Sequence, residues 1–225
     1  MQHRPLRIAL ASLAATLIAA TTAAAVTGST PDGDAHPYVG ALVVDGAVAC
    51  SGVLVAPAVF ATAAHCGVDG ARVAVSLDAA LGGGWSLQEG TFEADPGKGS
   101  DLAVVVLDAP AAVAPASLPA AGSAGSLAKG SLVTSVGYGY SSPGVYDGLR
   151  RTADSPLLRV GKSTLTLSTA AAGPCMGDSG GPQLRGDTVL SLTATGSKDC
   201  SGKAEATRLD TTSARAFLDD FVALP

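Results

Sequence analysis

Three residues in this chain carry side chains that together can perform nucleophilic catalysis. Ser179 lies in the stretch GDSGG, His65 in ATAAHC and Asp101 at the start of DLAVVVL. A serine hydroxyl becomes a strong nucleophile when an imidazole takes its proton and a carboxylate holds that imidazole in one tautomer. Each residue alone has an ordinary structural explanation, as a turn serine, a surface histidine and a strand-start aspartate. Their combination predicts a hydroxyl–imidazole–carboxylate triad.

The glycines around Ser179 meet a second requirement of this chemistry. Attack on a carbonyl group creates an oxyanion, which needs hydrogen-bond donors already in place. The backbone N–H groups of Gly177 and Ser179 lie on a bend where glycine permits a close approach of the substrate. The sequence therefore predicts an oxyanion hole formed by these two residues.

The N-terminal region is typical of a secretory signal peptide. Two arginines precede an apolar run over residues 8–20, which is short for a membrane span, and small residues follow at 23–25. A membrane anchor is the alternative, but the small-residue cleavage site disfavours it. We expect a signal peptide over residues 1–25 and a secreted, extracellular mature domain over residues 26–225.

The charge balance argues against some classes of partner. The formal net charge is −5, and loss of the two arginines in the signal peptide makes it −7. An acidic chain without a basic run is a poor ligand for nucleic acids and anionic membranes.

Four cysteines in an exported chain predict two disulfides. Three pairings are possible. Pairing neighbours, Cys50 with Cys66 and Cys175 with Cys200, closes two short loops, each worth roughly 3 kcal/mol on the chain-entropy model. A zinc site is the rival interpretation, but the sequence contains neither a Cys-x-x-Cys motif nor paired histidines at ligand spacing.

The elements that must position these residues are mostly strands. Short apolar runs separated by turn residues predict strands at 39–44, 48–55, 59–63, 72–77, 102–107, 131–139, 157–160, 164–168, 189–195 and 205–210. Their length and β-branched content favour an all-β sandwich or barrel. The Pro- and Ala-rich stretch 108–126 suggests a connection between two β subdomains with a crevice between them. An apolar stripe at helical spacing predicts a closing helix over 213–223, capped by Ser213.

The motifs TAAHC, DLAVVVL and GDSGGP resemble the three signature blocks of the trypsin/chymotrypsin family of serine endopeptidases. The chain order His65, Asp101, Ser179 is also that of chymotrypsin. The Ala-rich composition and few disulfides look more like the bacterial secreted members of the family. The resemblance implies two packed six-stranded antiparallel Greek-key barrels, roughly 26–115 and 125–212, a C-terminal helix, and disulfides between neighbouring cysteines.

The resemblance also suggests the substrate pocket. Six residues before Ser179, where trypsin-like members carry a basic-selecting aspartate, this chain has Gly173, and Gly196 aligns with a pocket wall. We therefore expect cleavage after apolar or aromatic residues. A one-residue shift in the alignment would instead place the Glu205 carboxylate in the pocket and select basic residues. Ala194 stands where family members usually carry a serine that binds the buried aspartate.

Activation in the resembled family uses a free N-terminal amine that inserts beside the aspartate preceding the nucleophile, here Asp178. The stretch VTGS beginning at Val26 matches the family's usual terminus only in part. Val26 nevertheless directly follows the expected signal-peptidase site. We therefore expect signal peptidase itself to create the terminus that pairs with Asp178.

These observations predict a secreted serine endopeptidase that acts on proteins and peptides through an acyl-enzyme. We expect a monomer with no cofactor, no metal, no nucleic-acid partner and no stable membrane association. Two rivals remain open at this point. One is a non-catalytic binding protein on the same fold, although such proteins usually lack a triad member; the other is an esterase-like hydrolase.

Overall fold

The computed structural model describes residues 28–225, so the predicted signal peptide and Val26 lie outside the described residues. Six strands form a closed antiparallel barrel in the order β2-β3-β4-β7-β6-β5. These strands are β2 (Val39–Val44), β3 (Ala47–Ala56), β4 (Val59–Thr62), β5 (Arg72–Ser76), β6 (Gln88–Ala94) and β7 (Ala103–Leu107). All four residues of β4 are buried, which explains why this strand is apolar without alternation.

A second antiparallel barrel forms from the C-terminal half in the order β9-β10-β13-β12-β11-β8, and the β8–β9 pairing closes it. Its strands are β8 (Leu132–Gly137), β9 (Arg151–Val160), β10 (Thr164–Ser168), β11 (Pro182–Arg185), β12 (Thr188–Gly196) and β13 (Lys203–Arg208). A two-residue strand, β1 (Thr30–Pro31), pairs with β9 and so attaches the start of the described chain to this barrel. The expectation of two six-stranded barrels is confirmed.

Three strands have no counterpart among those expected from the sequence: β1, β6 and β11. In β6 only Gly90 and Phe92 are buried, so the segment has no apolar run to detect. β11 is only four residues long; it begins with Pro182, which lacks a backbone N–H, and the next residue, Gln183, is polar although it is fully buried. Both strands form because the barrels supply pairing partners on either side.

The C-terminal helix, α1, spans Thr212–Leu218 and is shorter than the expected 213–223. The predicted cap at Ser213 is wrong, because Thr211 is the N-cap and its hydroxyl accepts a hydrogen bond from Ala214 N at 3.2 Å. Two acidic residues follow Leu218, and negative charge at a helix C-terminus opposes the helix dipole. The helix buries its apolar stripe against the core shared with the first barrel.

Candidate active site

His65 lies in a single turn of 3-10 helix, Ala64–Cys66, which follows strand β4. A disulfide joins Cys66 to Cys50 in strand β3, so the turn is linked covalently to the neighbouring strand. The Cys50 and Cys66 sulfurs lie close to the His65 ring. Because both sulfurs belong to the disulfide, this cluster offers no thiolate to a metal.

Asp101 lies immediately before the buried Leu102, at the entrance to strand β7. Both carboxylate oxygens of Asp101 lie 3.0 Å from His65 Nδ1, and Oδ1 also accepts the backbone N–H of His65 at 3.0 Å. The Asp101 carboxylate therefore binds both the ring and the backbone of His65. This arrangement leaves Nε2, the other ring nitrogen, as the one that can exchange a proton with a nucleophile.

The pairing changes the protonation equilibrium of both groups. The hydrogen bond to Asp101 raises the pKa of His65 above its ordinary value, although partial burial opposes the change. Burial alone would raise the pKa of Asp101, but hydrogen bonds from the His65 ring and backbone outweigh it and hold that pKa below its ordinary value. An imidazole with a raised pKa, beside a carboxylate with a lowered pKa, is suited to general-base catalysis.

Ser179 belongs to a loop that is bound to the first barrel. Its carbonyl oxygen accepts a hydrogen bond from Ser51 N at 2.9 Å. The next residue, Gly180, has φ +77°, and a Cβ there would lie 2.2 Å from Thr62 Oγ1 and 2.8 Å from Ala63 N. Only glycine permits this contact. It brings the Ser179 loop to the segment that leads directly into the His65 turn.

Ser51 is a buried polar residue whose side chain also positions this loop. Its hydroxyl donates to Gly177 O at 3.0 Å and accepts from Tyr138 N at 2.9 Å. Ser51 is not among the site residues predicted from the sequence. The available signal was a hydroxyl residue within an apolar strand, next to a cysteine and a glycine.

Two backbone N–H groups of the loop are available for an anion. Within residues 28–225, neither Gly177 N nor Ser179 N donates a hydrogen bond to another protein atom. Gly177 has φ +89°, a left-handed conformation that glycine adopts without strain. The expected oxyanion donors are therefore unoccupied by protein acceptors on a half-exposed loop.

Asp178 points away from Ser179 into the protein interior. Its carboxylate accepts the backbone N–H groups of Gly139 and Cys175, each at 2.8 Å. Burial raises the pKa of Asp178 to about 7, even though both hydrogen bonds favour the ionised form. Among the described residues no cation reaches this carboxylate. The expected partner, Val26, lies outside the described residues.

The two residues expected to form the substrate pocket belong to segments that come close at Pro174 and Gly196. Gly173 is buried, and a Cβ there would lie 2.8 Å from Ser155 Oγ. Gly196 is exposed at the end of β12, and its Cβ position is 3.8 Å from Pro174 O. A second disulfide, between Cys175 and Cys200, joins the two segments. Neither Gly173 nor Gly196 carries a charge.

Glu205 lies in strand β13, where its Oε1 accepts a hydrogen bond from Thr166 Oγ1 at 2.8 Å. Its neighbours Ala204 and Ala206 are almost fully buried, whereas Glu205 is half-buried. Because side chains alternate across a strand, Glu205 and the two alanines lie on opposite faces of the sheet.

Ala194 lies at an irregularity of β12, between residues 193 and 195. Its methyl group has no hydrogen bond to offer to Asp101. The carboxylate instead depends on the ring and backbone of His65 and on the backbone of Ala64. The site therefore relies on one residue, His65, for most of the hydrogen bonds to Asp101.

No helix within residues 28–225 is long and apolar enough to cross a membrane.

The family model described as "Trypsin" matches residues 25–214 of the chain. The chain is also similar to a protein from Saccharopolyspora erythraea described as "Trypsin". The two are 31% identical over 186 residues, which cover 72% of this chain and 82% of the relative.

Proposed function

Because the chain belongs to the trypsin family of serine endopeptidases, which act on protein or peptide substrates, we propose that it is a secreted endopeptidase whose triad is His65, Asp101 and Ser179. The observation that carries the proposal is the double attachment of Asp101 to His65, through the ring and the backbone. A purely structural aspartate at the start of a strand has no need to orient an imidazole beside a serine loop.

In the proposed reaction, Ser179 Oγ attacks the scissile carbonyl carbon while His65 Nε2 takes the hydroxyl proton. The N–H groups of Gly177 and Ser179 stabilise the resulting oxyanion. The tetrahedral intermediate collapses, the C–N bond breaks, and His65 returns the proton to the leaving amine. Water then attacks the acyl-enzyme by the same route and releases the acid and free Ser179.

For specificity, we propose apolar or aromatic residues on the acyl side of the scissile bond. The absence of charge at Gly173 and Gly196 supports this assignment. Basic selectivity through Glu205 is the alternative. The bond from Thr166 to Glu205, on the face opposite Ala204 and Ala206, favours a structural role for that carboxylate.

We propose that residues 1–25 are the signal peptide and that cleavage leaves a mature, monomeric domain starting at Val26. Gly28, the first described residue, supports this position for the terminus. It is closely packed against Ala171, where an added Cβ would lie 2.3 Å from the carbonyl oxygen. The described chain therefore begins beside the segment that leads into Gly173.

A fluorophosphonate probe tests the nucleophile assignment. The mature protein should be labelled once, at Ser179, and Ser179→Ala should abolish both labelling and peptide hydrolysis. His65→Ala should lower turnover by several orders of magnitude, since triad residues act as a unit. Binding of peptides without labelling or hydrolysis would indicate the non-catalytic rival. Hydrolysis of esters without hydrolysis of peptides would indicate the esterase.

Chromogenic peptides test the specificity assignment. Substrates with Phe, Leu or Met on the acyl side should have a higher kcat/KM than those with Arg or Lys. If Arg substrates are preferred and Glu205→Ala removes the preference, the carboxylate lies in the pocket. Thr166→Val serves as the matched control, because it removes the partner of Glu205 without removing the charge.

A further inference from the structure

Gln183 is a fully buried amide in strand β11, at a position where a barrel interior ordinarily holds an apolar side chain. In the sheet it lies opposite Ser135 of β8 on one side and Ser191 of β12 on the other. A buried amide is costly unless its polar atoms are hydrogen-bonded. The bonds of this amide lead along β12 to the loop that contains Ser179.

The amide belongs to a chain of hydrogen bonds that runs in one direction. Ser191 Oγ donates to Gln183 Oε1 at 2.9 Å, and Gln183 Nε2 donates to Thr193 Oγ1 at 2.8 Å. Thr193 Oγ1 in turn donates to the carbonyl oxygen of Gly181 at 3.1 Å. None of the three side-chain donors belongs to a residue that is more than 4% exposed, and hydrogen bonds in series away from water strengthen one another. Because Thr193 Oγ1 accepts the amide proton, its own proton is directed to Gly181.

Gly181 lies two residues after the proposed nucleophile, and Thr193 binds the backbone there at three points. Besides the hydroxyl, Thr193 N donates to Gly181 O at 2.9 Å and Thr193 O accepts from Gly180 N at 2.7 Å. Ser51 N, from the first barrel, donates to Ser179 O at 2.9 Å. The backbone from Ser179 to Gly181 is therefore attached to both barrels.

The two glycines after Ser179 explain why this backbone needs an external restraint. A Cβ at Gly180 would lie 2.2 Å from Thr62 Oγ1, and a Cβ at Gly181 would lie 2.6 Å from Val136 O, so neither position accommodates a side chain. Glycine has more backbone freedom than any other residue. Close packing thus requires the most mobile residue type directly beside the attacking group. A displacement of about 1 Å can lower the rate of a positioned reaction about 100-fold.

We propose that Gln183 and Thr193 are positioning residues for catalysis. Gln183 directs the Thr193 hydroxyl to Gly181 O, and this bond fixes the backbone that carries Ser179. In this role the two side chains do not touch the substrate, so their loss should lower kcat and leave KM nearly unchanged. The inference rests on the proposed serine endopeptidase function and adds to it the residues that hold the nucleophile in place.

Two substitutions at Thr193 test the role of the hydroxyl. Thr193→Val removes it with little change in shape, whereas Thr193→Ser keeps it. Thr193→Val should lower kcat for a Phe chromogenic peptide about 10-fold or more, with less than about a 2-fold change in KM. The rate constant of labelling by a fluorophosphonate should fall equally, because labelling reports attack by Ser179 without hydrolysis of an acyl-enzyme. Thr193→Ser should keep both rates within about 3-fold of wild type.

A triple variant separates positioning from stability. Gln183→Met, Ser191→Ala and Thr193→Val together replace the hydrogen-bond chain by apolar side chains of similar volume, so no member of the chain is left unpaired. The denaturant midpoint should exceed that of Thr193→Val, which leaves the Gln183 amide unpaired, whereas kcat and labelling should stay equally low. Ser76→Ala is the control. It removes a fully buried hydroxyl of β5 that accepts Asp78 N at 3.3 Å, and should lower the midpoint without changing kcat.

The outcomes keep the two proposals apart. Wild-type kcat and labelling in folded Thr193→Val, or recovery of kcat together with stability in the triple variant, would overturn the positioning role and leave the endopeptidase function intact. If the triple variant does not fold, the comparison of Thr193→Val with Thr193→Ser decides the question. Wild-type protein that neither hydrolyses peptides nor reacts with the fluorophosphonate would refute the proposed function, and the positioning role with it.

Discussion

Arg150 Nε donates a hydrogen bond to Asp32 Oδ2 at 3.0 Å, and both side chains are almost completely buried. Arg150 Nη1 also donates to the carbonyl oxygens of Val39 and Leu77, each at 3.0 Å, and Nη2 donates to that of Gly33. The Arg150 guanidinium, immediately before β9, thus joins the N-terminal segment at Asp32 and Gly33 to the first barrel. These hydrogen bonds fix the N-terminal segment that contains Asp32 and Gly33.

Arg150→Met should lower the free energy of unfolding by about 3–5 kcal/mol, because it leaves the Asp32 carboxylate buried beside His36 alone. Arg72→Met is the matched control. Its pair with Asp108 is exposed and screened by solvent, so its loss should change the free energy of unfolding far less. Denaturant unfolding of both variants measures the difference. Equal losses would show that Arg150 contributes no more than a surface charge.

Asp101→Asn should lower kcat by roughly four orders of magnitude, since an amide favours the wrong tautomer of the imidazole. The pH profile adds a second readout. Asp101 raises the pKa of His65, so the wild-type activity should rise with pH above the ordinary histidine value as His65 loses its proton. In the variant that limb should move to lower pH. Asp95→Asn, a carboxylate in the same loop, should change neither kcat nor the limb.

A blocked N-terminus should make stability depend on the ionisation of Asp178. With the pKa of the unpaired carboxyl raised to about 7 from an unfolded value near 3.8, the native state binds one more proton than the unfolded state between these values. Stability should therefore fall as pH rises from about 4 to 7 and stay low above 7. A free amine at Val26 should remove this slope by pairing with the carboxylate.

Denaturant unfolding at pH 4, 5.5 and 7.5 compares protein beginning at Val26 with the same protein acetylated there. Asp178→Asn in the acetylated protein is the control, because it removes the titrating group and should remove the slope. Above pH 8 the paired protein should lose stability in its turn, since the amine deprotonates as pH passes its raised pKa. Identical pH profiles for the free and acetylated proteins would leave Asp178 with another partner. N-terminal sequencing of the secreted protein gives the natural start.

Gly180→Ala should reduce activity far more than its backbone strain alone explains. Gly186 provides the comparison, since it has φ +57° and open space around the Cβ position. Gly186→Ala should cost about 1–2 kcal/mol of stability and leave kcat/KM unchanged. Gly180→Ala adds a clash with Thr62 and Ala63, which must push the Ser179 loop away from His65. Similar kcat/KM values for the two variants would contradict this account of how the loop is positioned.

The sequence was sufficient to predict the all-β architecture and the residues that can do chemistry. Strands such as 102–107 carry unbroken apolar runs, and both of their faces are buried. The signals around His65, Asp101 and Ser179 are local, since each consists of a reactive side chain with distinctive neighbours. Such signals can be recognised from the sequence alone, because the residue type itself determines what chemistry the side chain can do.

The tertiary structure decided the contacts that depend on distant residues. Nothing near Ser51 in the sequence indicates that its hydroxyl bridges Tyr138 and Gly177, and nothing near Arg150 indicates that Asp32 lies beside it. A cavity beside Gly177 is likewise lined by residues from four separated segments, 46–49, 81–85, 138–146 and 176–177. The folding and packing of the two barrels create these relationships, because they bring together residues that are as many as 149 positions apart in the chain. Residue types therefore indicated which groups can react, whereas only the closed barrels determined how those groups are held and what surrounds them.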